Sequence, residues 1–216
     1  VFDPFLRSWF DEHPFPSVTT DDFLAFLRER LIGRARPLPG RALPDLAAWI
    51  DGPGIPADAP LARSDAFARV RAQAERWAGA QASARQLDTA GWTFHQWLHF
   101  LRALPGKLTP ARMEELDAAF GFTKTGNSEI LDEWLVLAAR HEYEPAYRRL
   151  ERFLTTVGRQ KYLKPIYQEL MKTKAGASRA RAIYSKARPV YQAMVRRSLD
   201  GIVGWSAPAA EDHPPK

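Results

Sequence analysis

The chain has 216 residues, 45% of them hydrophobic, with seven Trp and twelve Phe, enough for one good core with room for a small appended piece. It contains no Cys, which excludes disulfide frameworks, thiolate metal sites and cysteine nucleophiles, and no apolar run approaches the roughly 20 residues needed to span a bilayer. The formal charge of +6 is uneven: Arg140 to Asp200 carries fifteen Lys/Arg against five Asp/Glu, so the basic character belongs to the C-terminal quarter and could attract an anionic partner.

Val1-Phe2-Asp3-Pro4 has neither an initiator Met nor the basic-then-apolar layout of a signal peptide, and reads as the cut edge of a longer protein. Phe2, Phe5, Leu6, Trp9 and Phe10 form one apolar stripe at helical spacing, and Phe23, Phe26, Leu27 and Leu31 form a second. Thr19-Thr20-Asp21-Asp22 supplies cap candidates and first-turn acids for the second helix. A Gly/Pro-rich stretch at 33–42 reads as a linker and divides residues 1–32 from the remainder.

Beyond it, Leu43 to Ile50 is expected to be a short helix, closed by the turn cluster Asp51-Gly52-Pro53-Gly54-Ile55-Pro56, and Ser64 to cap a long helix through Trp77. Further helices are expected over Thr93–Leu104, Thr109–Phe120, Ser128–Arg140, Glu144–Val157, Pro165–Lys172, Ser178–Ala187 and Pro189–Ile202. Thr109-Pro110 and Arg188-Pro189 place proline where a first helical turn tolerates it. Short helices joined by brief turns predict an all-α fold of stacked antiparallel helices, a superhelical, armadillo-like domain over 43–204, although no clear sequence repeat accompanies it. Residues 205–216 read as a frayed tail.

Gly158-Arg159-Gln160-Lys161-Tyr162-Leu163-Lys164-Pro165 is the segment that most plausibly meets a substrate. Gly158 ends one helix and Pro165 favours the first turn of the next, so Arg159 to Lys164 is expected to be a connector. Arg offers a planar fork and Lys a compact charge, a pair suited to a carboxylate. Two residues apart face one side only outside a regular helix interior. The alternative is that Arg159 and Lys161 are solvated surface charges.

His95 and His99 stand four apart, a spacing that lets two imidazoles share a metal, but the residue after His95 is Gln96 where a zinc-peptidase motif has Glu, so helix histidines without a metal are expected. His141-Glu142 begins like the same motif, yet Pro145 occupies the place of its second His. Trp77, Trp92, Trp97 and Trp134 fall in helical patterns and read as core. No RNA-binding aromatic signature, zinc finger or phosphate loop accompanies the basic quarter, which argues against nucleic acid as a partner.

Four ordered motifs carry a resemblance. Phe2-Asp3-Pro4-Phe5-Leu6 with Ser17-Val18-Thr19-Thr20-Asp21-Asp22-Phe23 resembles the end of the catalytic domain of zinc aminopeptidases of the leukotriene A4 hydrolase type. Trp49-Ile50-Asp51-Gly52-Pro53-Gly54-Ile55-Pro56 resembles the opening of that family's C-terminal helical domain, and Asn127-Ser128-Glu129-Ile130 and Gly158-Arg159-Gln160-Lys161 with Lys164-Pro165 are similar to two further motifs in the same order. The resemblance implies a superhelix that closes one side of an active-site cleft, with Arg159 as carboxylate fork and Lys161 as supporting charge on short peptide substrates. It places the H-E-x-x-H zinc site in a catalytic domain upstream. In this chain neither catalytic residue nor cofactor is expected, and its partners would be its own catalytic domain and peptides, with no nucleic acid or membrane. A soluble protein is implied, the cytoplasm favoured over periplasm or secretion. The rival reading is a helical interaction scaffold with a basic binding face.

Overall fold

The computed structural model describes residues 1–34, 36, 42–60 and 63–206. Most of the linker expected at 33–42, and residues 207–216 of the expected tail, lie outside the described residues. The described residues form helices and turns with no strand, and none of the helices is long and apolar enough to cross a membrane. Contacts divide the chain into two compact units, Val1–Arg63 and Ser64–Lys216.

In the first unit, α1 (Phe2–Glu12) and α2 (Thr20–Arg30) join through the two apolar stripes. Phe5 and Trp9 are buried, with Trp9 edge-on to Phe23 at 5.1 Å and to Phe26 at 5.2 Å. The cap at Thr19 forms as a reciprocal box: its hydroxyl accepts from the Asp22 amide at 3.2 Å and the Asp22 carboxylate accepts the Thr19 amide at 2.8 Å. A short α3 (Leu46–Ile50) starts at Asp45, whose carboxylate takes the amides of Ala47 and Ala48.

The second unit holds α4 (Ala66–Ala78), α5 (Phe94–Arg102), α6 (Pro110–Phe120), α7 (Ser128–Arg140), α8 (Tyr147–Thr156), α9 (Gln160–Leu170), α10 (Lys174–Ala187) and α11 (Ala193–Val203). Along one layer α5 packs on α7, α7 on α9 and α9 on α11, while α8 packs on α10 in the other. A single continuous core runs between them, with Trp77, Phe100, Trp134, Leu150, Tyr167 and Tyr184 almost wholly excluded from solvent.

Although the sequence shows no repeat, the stack has one. Arg102 pairs with Glu133 at 2.7 Å, Lys161 with Glu129 at 2.6 Å, Arg140 with Glu169 at 2.6 Å, Arg179 with Glu144 at 3.1 Å and Lys186 with Glu151 at 2.8 Å. The partners are separated by 31, 32, 29, 35 and 35 residues. Each bridge therefore reaches from one helix region to the next but one, the spacing of a two-layer stack of antiparallel helices.

Several boundaries differ from the sequence reading: α3 begins at Leu46 rather than Leu43, α4 at Ala66 after Asp65 rather than at a Ser64 cap, and α8 at Tyr147 after a 3-10 turn over Glu144–Ala146. α9 begins at Gln160 and runs through Pro165, so the expected connector to Lys164 shrinks to Gly158 and Arg159. The missing N–H of Pro165 forgoes only the bond to the Lys161 carbonyl, one turn from the helix start. α10 begins at Lys174 rather than Ser178, because the Thr173 hydroxyl accepts from the Gly176 amide at 3.1 Å and caps it. Gly176 is a helical residue there: a Cβ on it would lie 2.2 Å from the Leu170 carbonyl oxygen. Pro189 sits in a short 3-10 turn, Arg188–Val190, and α11 starts after Gln192.

Candidate functional site

The site is built where the first turns of α7 and α9 meet. Asn127 caps α7 by accepting from the amides of Glu129 at 2.9 Å and Ile130 at 3.2 Å, which fixes the first turn and aims the Glu129 side chain. A carboxylate in a first turn is also favoured by the positive end of the helix dipole. On the other side α8 ends at Val157 in extended backbone, and Arg159, at φ −87° and ψ 115°, is the residue from which α9 departs. Arg159 and Lys161 thus straddle a helix boundary, and the backbone between them is no helix interior.

The two cations flank one ring. The Arg159 guanidinium lies 5.4 Å and the Lys161 ammonium 5.3 Å from the centre of the Tyr162 ring. They differ in their partners. Lys161 donates to both carboxylate oxygens of Glu129 at 2.6 Å, and the Tyr162 hydroxyl donates to Oε1 of the same carboxylate at 2.8 Å. Among the described residues Arg159 is within ion-pair distance of no carboxylate, and it is exposed. Lys164 is exposed on the next turn.

These contacts set the protonation states. The bond from Lys161, then that from Tyr162, hold the Glu129 carboxyl below its ordinary value, so it is a carboxylate at neutral pH. The same bond to Glu129 raises the Tyr162 hydroxyl. Asp132, one turn further along α7, is pushed up to about 7, first by burial and then by the charges of Glu133 and Glu129. Its Oδ1 is buried without a hydrogen-bond partner. The Glu133 carboxylate is taken by Arg102 at 2.7 Å.

Glu129, Asp132 and Tyr162 were not singled out as site residues in the sequence. Glu129 reads there as part of a helix start, and only the packing of α7 on α9 brings Glu129 and Asp132 of α7 beside Lys161 and Tyr162.

The histidine pair is explained locally. Gln96 is the third residue of α5, and its side chain accepts from the Thr93 amide at 2.9 Å while the Thr93 hydroxyl accepts from the Gln96 amide. The residue that breaks the zinc-peptidase pattern is therefore the reciprocal half of a capping box. His95 lies against Phe94 at 3.8 Å and His99 stacks on Phe67 at 4.7 Å. Among the described residues no three His, Cys, Asp or Glu side chains gather as a metal site would require, so these residues do not fit a zinc ion.

Residues 92–203 match the family model described as Leukotriene A4 hydrolase, C-terminal. The chain belongs to that family. Its relatives include Aminopeptidase B of Mus musculus, 25% identical over a region covering 94% of this chain and 32% of the mouse protein. Aminopeptidase RNPEPL1 of Homo sapiens is 28% identical, covering 94% of this chain and 29% of the human protein. The chain thus spans about a third of the length of these aminopeptidases. Native yeast LTA4 hydrolase shares the fold, with a TM-score of 0.65 at 21% identity over 94% of this chain and 36% of that structure. In this leukotriene A4 hydrolase C-terminal domain the matched region opens at α5 and closes at the end of α11.

Proposed function

We propose that this chain works as the helical part of a zinc-dependent aminopeptidase, closing one side of the active-site cleft and binding the free carboxylate of a short peptide whose N-terminal residue is removed. The family and the aminopeptidase relatives support the enzyme class. The observation that carries the carboxylate role is Arg159: an exposed guanidinium on extended backbone at a helix start, without an acidic partner among the described residues, beside a lysine whose position Glu129 fixes.

In this reading Arg159 receives the carboxylate through its planar fork. Lys161 is held in place by Glu129, which takes two of the three donors of its ammonium and leaves the third for the ligand. The Tyr162 ring lies near both cations. Anchoring the far end of a peptide fixes the distance from that end to the bond to be cut, and such positioning acts on kcat/KM. Residues 1–32 would then be the closing helices of a catalytic domain, 43–204 the helical domain, and the metal would be held by residues outside this chain.

The test is a comparison of tripeptides with their C-terminal amides, using the enzyme formed when this chain is joined to its catalytic region. Arg159→Ala should lower kcat/KM for the free acids by about a hundredfold, the loss of one charge-assisted bidentate contact, and for the amides far less. Equal losses on both substrates would refute the carboxylate role.

A further inference from the structure

A cationic groove lies on the opposite helix layer and involves none of the residues just discussed. A groove of 630 Å³ is lined by Thr123, Lys124, Pro145, Arg148, Arg149 and Arg152. Four of these six residues are cations and none is an acid. Lys124, Arg148 and Arg152 are exposed, and among the described residues none of the four cations lies within ion-pair distance of a carboxylate. Arg149 is tethered to the Thr125 carbonyl at 3.4 Å.

The arrangement follows from how α8 is packed. Its neighbouring acids are used elsewhere: Glu144 pairs with Arg179 and Glu151 with Lys186, both on α10. The Arg179 guanidinium also covers the Tyr147 ring at 4.1 Å. Glu151 of α8, and Glu144 in the 3-10 turn before it, thus go to α10, while the arginines of α8 face the groove. Leu150, Phe153 and Leu154 bury the remaining face and hold the helix rigidly. The opposite wall is equally fixed, since the Thr123 amide and hydroxyl donate to Asp117 at 2.8 and 2.6 Å and Trp134 donates to the Thr123 hydroxyl at 2.9 Å.

We infer that this groove binds an extended acidic peptide segment of a partner protein, carrying carboxylates on alternate residues. Arg148 and Arg152 stand one helical turn apart on one face, a separation of about 6 Å along the axis. In an extended chain, side chains two residues apart point the same way at about 6.7 Å, so successive carboxylates meet successive guanidinium forks. A nucleic-acid strand would want aromatic stacking surfaces between the cations, and the groove lining has none.

The experiment uses the 216-residue chain and a fluorescein-labelled peptide of alternating Glu and Gly, read by anisotropy at low and physiological salt. Saturable binding is expected, weakening as salt rises. Arg148→Glu/Arg152→Glu should weaken it by at least about tenfold, because two attractive contacts become repulsive. The control Lys174→Glu/Arg197→Glu makes the same change in net charge on exposed residues of α10 and α11 and should leave binding within about twofold. Circular dichroism melts check folding, and Arg148→Gln/Arg152→Gln supplies the same comparison with a smaller perturbation. Absence of saturable binding, or equal loss in the control, would overturn the inference. Tighter binding of a single-stranded oligonucleotide of matched charge, abolished by the α8 variant, would overturn it in favour of nucleic acid.

Discussion

Replacing Arg140 by Met should destabilise the second unit by an amount that depends on pH. Glu169, near the end of α9, is the buried charged residue of the described core, 8% exposed, and is met by Arg140 from the end of α7. Arg140 donates to its Oε1 from Nε at 3.2 Å and from its terminal nitrogen at 2.6 Å, and Lys172 meets Oε2 at 2.8 Å. Burial alone pushes the Glu169 carboxyl up, but the bonds from Arg140 and Lys172 outweigh it and hold the group below its ordinary value. Its contribution to stability is thus present above the unfolded-state value and lost as pH falls through the folded one. Met preserves the apolar stem of Arg140 and removes only the fork. A hydrogen bond to a charged group contributes about 1.5–3 kcal/mol. Because the Arg140 side chain is itself 41% exposed, the lower part of that range applies, about 2 kcal/mol at pH 7. For a chain of this size that lowers Tm by about 4–8 °C. In the variant only Lys172 is left to oppose burial, so Glu169 protonates at higher pH than in the wild type and relieves its own penalty on acidification. Thermal melts at pH 7 and pH 5 should therefore show the gap between variant and wild type narrowing as pH falls. A gap of equal size at both values would mean that Arg140 acts through packing and not through charge.

Gly176→Ala should destabilise despite the better helix propensity of Ala, because the new Cβ would lie 2.2 Å from the Leu170 carbonyl oxygen and 2.9 Å from the Thr173 hydroxyl that caps α10; the net cost expected from overpacking is about 1–2 kcal/mol. Gly201→Ala, at an open position inside α11, should instead stabilise by about 0.5–1 kcal/mol, and paired melts read both signs. Asp132→Asn should raise Tm at pH 8 and change it little at pH 4. With its folded value raised to about 7, Asp132 costs stability as pH rises from the unfolded value through the folded one, and Asn removes that cost; an equal shift at both pH values would refute the assignment.

Helix starts were legible because their signals are local. Thr19 caps the helix expected of it, and the helices expected from Thr93, Thr109 and Ser128 form there with Thr93, Thr109 and Asn127 as caps and Pro110 at the first position of α6, whereas Ser64, expected to cap α4, does not stand at its cap, which is Asp65. Where a tertiary contact overrides a local breaker, the sequence misleads. Gly176 looks like a place for a chain to turn, yet it is glycine because the preceding turn approaches too closely for a side chain. Pro165 looks like a helix start, yet α9 absorbs it at the cost of one carbonyl partner.

The candidate site was half legible for a related reason. Charge density in the C-terminal quarter can be counted, but whether a cation is available to a ligand depends on whether an acid already holds it. For Arg140, Lys161, Arg179 and Lys186 the holding acids lie 29 to 35 residues away, one repeat of the stack, a distance no short window of sequence reports, whereas Lys172 and Arg188 find theirs 3 and 12 residues away. Arg140, Lys161, Arg179 and Lys186 are spoken for in this way. Arg159 and the three arginines of α8 are not held by the described acids, and they occupy two different places: a helix boundary beside a fixed lysine, and a rigid groove. A lone guanidinium beside a neutralised lysine suits a single carboxylate, whereas forks repeated at one helical turn suit a repeating polyanion. The pairing that sorts these cations thus also separates the proposed small-ligand site from the proposed docking surface, and each proposal can fail its own test without the other.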